Sequence, residues 1–274
     1  MVAGRDGGSY SARPMETVTM ADGTKLVYSQ GGSGRDLVLV HGITESRRAW
    51  DPAIGGLEAG WRVVNVDMRG HGESERRGPY DAMTMASDLA QVVEALRLDE
   101  PLMVGHSMGG VIVSAYGGLG HSARGIVNVD QAMALGGFKD ALDPLIPMLQ
   151  GDEAGFRDAV AMVFSVLDGP LPAAERARLN ACSSPEQDVV LGVWSAVFEN
   201  SVEELDALAA EMLSGIHIPY LAIHGSDPGV EYVHWLLALV ANARVEVWPD
   251  TGHYPHLIDP DRFAERLDQF DGGL

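Results

Sequence analysis

Apolar residues in this chain fall into two alternating patterns: short unbroken runs and longer stripes of helical period. The runs "DLVLV" (Asp36 to Val40), "RVVNVD" (Arg62 to Asp67), "PLMVG" (ending at Gly105) and "GIVNVD" (ending at Asp130) are nearly all apolar. That composition suits strands covered on both faces, as in a parallel sheet. Ahead of them, "METVTM" and "TKLVYSQ" are β-like stretches joined by the turn "ADG". Between the runs, Met85, Leu89, Val92, Val93 and Leu96 recur at helical spacing, and "MGGVIVSAYGGLG" follows as the next helix. Alternating strands and helices predict an α/β fold with a mostly parallel central sheet flanked by helices.

The alternation stops between residues 134 and 216, where the pattern is helical throughout. Ser184 with Gln187, with Pro185 as first helical residue, and Ser201 with Glu204 have the spacing of capping boxes and predict two helix starts. Strand and helix resume at "IPYLAIHG" and "ARVEVWPD". A last helix is announced by Asp259 as cap, Pro260 behind it, and the stripe Phe263, Leu267, Phe270. The expected organisation is a flexible segment at 1–14, a core made of 15–133 and 217–274, and a helical cap or lid at 134–216, inserted after the sixth strand.

Hydrophobic residues make up 46% of the 274 and charged residues 21%, as in an ordinary folded domain. The formal net charge of −20 argues against nucleic acid or an anionic membrane as partner. A single cysteine, Cys182, allows no internal disulfide and fits a reducing compartment. The start "MVAGRDGGSYSARP" has no apolar core of a signal peptide, and no apolar run reaches the roughly 18 residues of a membrane span. A cytoplasmic location is expected. No H-E-x-x-H, paired C-x-x-C, P-loop or G-x-G-x-x-G after a strand is present, so neither metal nor cofactor is implied.

Chemistry concentrates at "VGHSMGG", where a strand turns into a helix through G-x-S-x-G. Such a turn crowds the residues beside the serine, so Gly105 and Gly109 are required to be small. It presents Ser107 Oγ outward at a helix N-terminus, as a nucleophile needs. Together with "VLVHGITES", "VVNVDMRGHGES" and "DTGHYPHLIDPDRF", this motif makes the chain resemble the α/β-hydrolase superfamily, in particular its lid-bearing serine esterase or lactonase-like members. The likeness extends over nearly the whole chain apart from the first dozen residues and the helical insertion.

The resemblance implies a full set of roles. The backbone N–H groups of Met108 and of Ile43, which follows His41-Gly42, would form the oxyanion hole. His253, on a loop before the last helix, would be the general base, with His256 three residues on as its competitor or a pocket residue. The family's acid comes after the next-to-last strand, and "HGSDPG" offers Asp227 there, one residue earlier than the usual spacing. Asp130 is the alternative acid, and Glu231 a weaker third. His106 is read as packing, His71 as structural, and His121, His217, His224 and His234 as surface or interior residues. Met133, Met148, Met162, Phe156, Phe164, Trp194 and Phe198 mostly pack the insertion, and an apolar lid suits an uncharged acyl substrate.

The implied activity is hydrolysis of a small to medium uncharged carboxylic ester or lactone through an acyl-enzyme. A small-molecule receptor with slow single turnover, a thioesterase, a perhydrolase and a C–C bond hydrolase remain as alternatives, because the fold does not fix the substrate. The partner expected is a small-molecule ester or lactone; the pattern says nothing about oligomeric state.

Overall fold

The computed structural model describes residues 13–167 and 169–274; most of the segment expected to be flexible, 1–14, lies outside the described residues. Eight strands form one sheet: β1 (Glu16–Thr19), β2 (Lys25–Gly32), β3 (Arg35–Val40), β4 (Trp61–Val66), β5 (Leu102–His106), β6 (Gly125–Val129), β7 (Tyr220–His224) and β8 (Ala243–Val247). Their order is β1-β2-β4-β3-β5-β6-β7-β8. The β1–β2 and β2–β4 pairs are antiparallel, and every other neighbour pair is parallel.

Period-two alternation divides the core between the two faces. Leu37 and Leu39 of β3, Leu102 and Val104 of β5, and Leu221 and Ile223 of β7 point to one side. There they meet Trp61 at the start of β4, Trp50 just ahead of α1 (Asp51–Leu57), and Phe263, Leu267 and Phe270 of α13 (Pro260–Asp271). Val38, Val40, Met103, Ile126, Tyr220 and Ala222 face the other layer. That layer is built on α2 (Ala82–Leu96), α3 (Met108–Gly118) and α11 (Val230–Leu239). Both faces are covered, which is why the strand sequences are continuously apolar.

Between β6 and β7 the chain is helical: α4 (Gly136–Leu142), α5 (Ile146–Leu149), α6 (Glu153–Leu167), α7 (Ala173–Ala181), α8 (Gln187–Val193), α9 (Ser195–Glu199) and α10 (Val202–Ser214). Ser201 caps α10 with the reciprocal Glu204 contact that its spacing predicts. The other expected box does not form. Helix α8 starts at Gln187, and Ser184 Oγ bonds Glu186 rather than a helix N–H. The Ser184 backbone N–H is already committed to the Thr44 carbonyl at 2.7 Å. Tertiary contact overrides the local signal there.

That contact is one of several joining the insertion to the loop after β3. Thr44 Oγ1 lies 2.8 Å from Ser183 Oγ, Ser46 Oγ donates to Cys182 O at 3.1 Å, and the Arg178 guanidinium reaches the Arg48 and Ala49 carbonyls. At the opposite side α10 packs on α3, where a Cβ on Gly118 would run into the Met212 carbonyl and one on Gly215 into the Gly118 carbonyl. The last helix begins as expected, with Asp259 accepting from the Arg262 N–H. Among the described residues no helix is long and apolar enough to cross a membrane.

Candidate active site

The carboxyl ends of β3, β5, β6, β7 and β8 open onto one crevice, at the point where the connections from β3 (to β4) and from its neighbour β5 (to β6) leave in opposite directions along the sheet. Ligands of open α/β sheets bind at such switch points. A cavity of about 470 Å³ lies there, bounded by Ile43, Ser107, Asp130 and His253 from the core and by helices of the insertion above.

Ser107 occupies a tight turn with φ 51° and ψ −121°. Its N–H bonds the Val129 carbonyl at 3.0 Å, and its carbonyl accepts from Gly110 at 2.7 Å. A Cβ on Gly105 would collide with the Gly109 carbonyl, and one on Gly109 with the Val40 carbonyl. Both glycines are therefore steric requirements of the turn. The strained serine is held by the surrounding backbone, as functional strain generally is. Ile43 and Met108, whose N–H groups the sequence nominates for an oxyanion, also line the cavity, and Met108 is the first residue of α3. A helix N-terminus favours negative charge.

His253 lies between β8 and α12 (Pro255–Ile258). Its Nδ1 is 2.7 Å from Asp130 Oδ2. Asp130 Oδ1 accepts from the Gly225 N–H at 2.7 Å. Both carboxylate oxygens are thus engaged, one by the imidazole and one by backbone. Burial alone would push the Asp130 carboxyl up, but the His253 and Gly225 bonds outweigh it and hold it below the usual carboxylate value. Burial is also the main reason that the His253 imidazole titrates below the ordinary value of 6.5, against the opposing pull of Asp130.

The structure does not bring Asp227, the expected acid, to His253. Asp227 is exposed, and its Oδ1 accepts from the Gly229 N–H at 2.9 Å, closing a local turn. With one residue fewer than the usual spacing, the loop after β7 turns its carboxylate to solvent. It leaves only the Gly225 N–H facing the histidine's partner. Asp130, from the end of β6, takes the position at His253. His256 does not line the cavity; it is fully buried and stacks on Trp50 at 4.3 Å between ring centroids. Glu231 is exposed on α11.

The remaining histidines sort by contact. His41 Nε2 accepts from the Met68 N–H at 3.1 Å and its Nδ1 faces the Gly42 carbonyl at 2.7 Å, so it is a neutral brace, with burial lowering its pKa to about 4. Burial likewise lowers His71 to about 3. Of the insertion's large residues, Phe164 and Trp194 line the cavity, joined by Phe138 and Leu167, while Phe156 and Met133 are buried and Met162 is half exposed. Cys182 is partly buried and its thiol is pushed up to about 11, chiefly by burial, so it is no ready nucleophile. Sequence reasoning missed Glu45 altogether. Its one signal was an acidic residue three places after Gly42, in the stretch between β3 and α1.

Comparison with known proteins places this architecture. The family of the alpha/beta hydrolase fold matches residues 37–260, and the chain belongs to that family. It is an enzyme of ester-hydrolase-like type. Over 274 aligned positions it is 30% identical to a non-heme haloperoxidase of Rhodococcus erythropolis, covering 90% of this chain and 96% of that one. A protein phosphatase methylesterase 1 of Bos taurus is 34% identical over 174 positions, covering 60% of this chain and 45% of the relative. Among solved structures, an esterase from a Rhodococcus species superposes with a TM-score of 0.72 at 25% identity, covering 95% of this chain and 99% of that one.

Proposed function

We propose that this enzyme hydrolyses a small to medium uncharged carboxylic ester or lactone through an acyl-enzyme on Ser107. The observation that carries the reading is the meeting of a strained strand-to-helix serine with a partly buried His253–Asp130 pair in one largely apolar cavity. His253 takes the Ser107 hydroxyl proton as Oγ adds to the substrate carbonyl, and Asp130 holds the imidazole in the tautomer that leaves Nε2 free. The oxyanion is met by the N–H groups of Ile43 and Met108, each donor of this kind lowering the barrier by about 3 kcal/mol. Collapse expels the alcohol, which leaves with the proton from His253. Water then attacks the acyl-enzyme, His253 again accepting a proton, and the acid and free serine are released.

The helical insertion acts as the lid of this site. Its Phe138, Phe164 and Trp194 supply apolar wall, which favours an uncharged acyl or alcohol group. The experiment is a time course with p-nitrophenyl esters from acetate to dodecanoate, on wild type and Ser107→Ala. Multiple turnovers lost in the variant support the reading, and the chain-length optimum sizes the cavity. A single-equivalent burst overturns it in favour of a slow-turnover receptor, and release independent of Ser107 overturns the assignment of Ser107 as nucleophile. The haloperoxidase relative favours one second reading, in which hydrogen peroxide replaces water as acyl acceptor and the product is a peracid. Peracid formation from an ester and peroxide, dependent on Ser107, would establish it.

A further inference from the structure

His106, beside the nucleophile, is 1% exposed and makes two polar contacts that face opposite ways. Its Nε2 lies 2.9 Å from the backbone carbonyl of His253. A carbonyl only accepts, so Nε2 carries a proton. Its Nδ1 faces Glu45 Oε2 at 3.6 Å, an ion-pair contact beyond hydrogen-bond reach that holds the carboxylate once Nδ1 is protonated as well. Glu45 is 5% exposed, and the same Oε2 accepts from the Gly42 N–H at 3.0 Å. Gly42 immediately precedes Ile43. One buried carboxylate therefore touches the peptide before the expected oxyanion donor and, through one imidazole, the backbone of the expected base.

Such a carboxylate is costly to bury and would not be expected merely to fill space. Burial works to raise the Glu45 carboxyl, yet contact with His106 and the Gly42 N–H bring it down to about 2, so it is ionised. The groups packed around the pair come from several elements. His41 belongs to its own loop; His253, Tyr254 and His256 pack tilted against the His106 ring at 4.7, 4.9 and 4.6 Å between centroids; Asp130 pairs with His253; and Arg178 acts on His256 from α7.

We propose that Glu45 and His106 are positioning residues, a buried carboxylate–imidazole link that keeps the Gly42-Ile43 peptide and the His253 backbone in register across Ser107. The inference rests on the function proposed above, because it concerns the alignment of that machinery. Misplacement by about 1 Å is enough to cost on the order of a hundredfold in rate. A group that only filled volume would not couple the two sides.

The test uses Glu45→Gln, which keeps an oxygen for the Gly42 N–H, together with His106→Gln, the double variant, and Glu45→Ala. Each single variant is expected to lower kcat about 10- to 100-fold with KM within about threefold. Glu45→Gln should retain more activity than Glu45→Ala, and the double variant should lose no more than the worse single. Removing the imidazole, which disfavours a proton on His253, should also move the acidic limb of the His106→Gln kcat/KM profile to higher pH. Singles within twofold of wild type, an additive double or an unmoved limb would overturn the proposal.

A measurement on the wild type covers the case of a variant that does not fold. In nitrogen-15 histidine spectra, His106 should carry protons on both ring nitrogens, Nε2–H toward the His253 carbonyl and Nδ1–H toward Glu45, and a neutral imidazole of either tautomer would overturn the link. Absence of Ser107-dependent turnover in the wild type would instead defeat the hydrolase reading, leaving the protonation of His106 to decide the link separately.

Discussion

Asp130 sits at the end of β6 with φ 52°, a conformation that costs an ordinary residue about 1 to 3 kcal/mol. Two hydrogen bonds hold it there, from Gly225 N–H and from His253 Nδ1. Asp130→Asn keeps the shape but gives the histidine the wrong partner; steady-state kinetics should show kcat reduced by about ten-thousand-fold. Asp227→Asn, on the surface, should change it by less than about twofold. Equal losses in the two variants would contradict the assignment. Because burial lowers the His253 pKa below 6.5, the imidazole stays neutral, and competent as a base, further into acid than a free histidine would. The acidic limb of kcat/KM is therefore expected below that pH, and a limb at or above it would mean that another group controls the rate. The choice between Asp130 and Asp227 was not legible in the chain. Both follow a strand, and spacing alone carries no record of a positive φ or of which loop turns its carboxylate away.

Elements divide into those that local sequence determines and those that their neighbours determine. Strands β3 to β7 were readable because burial on both faces leaves only apolar residues, and α10 because Ser201 and Glu204 satisfy each other locally. The start of α8 was not, since the Ser184 amide is taken by Thr44, a residue far away in the chain. Glu45 and His106 were invisible as a pair for the same reason: their meeting is a product of the fold. The elbow between β5 and α3 tolerates no added carbon. Gly109→Ala should destabilise by about 3 kcal/mol or more in denaturant unfolding, because backbone rather than a side chain stands in the way. Gly55→Ala provides the contrast, for nothing lies within 4 Å of its added methyl. In mid-helix α1 it should stabilise by about 0.5 to 1 kcal/mol, and a lower melting temperature would count against the helix as described.

Taken whole, the molecule carries a formal charge of −20 around a largely apolar site. A carboxylate-bearing ester should show a higher KM than a neutral ester of equal size, and added salt should narrow the gap, since screening acts on the long-range part of the repulsion. A gap indifferent to ionic strength would place the discrimination inside the cavity. The sheet itself sets the spacing of the machinery: β5 and β6 pair in parallel, with His106 opposite Val129, so Ser107 and Asp130 leave adjacent rails at the same level. Past Gly225, which still lends its amide to Asp130, the Asp227 carboxylate folds back onto the Gly229 amide, away from His253. Evolution and engineers alike are thereby given a splice point at the mouth of the site, where a new loop would reshape the cavity wall at Ser226 and Pro228 while leaving in place the carboxylate that His253 touches.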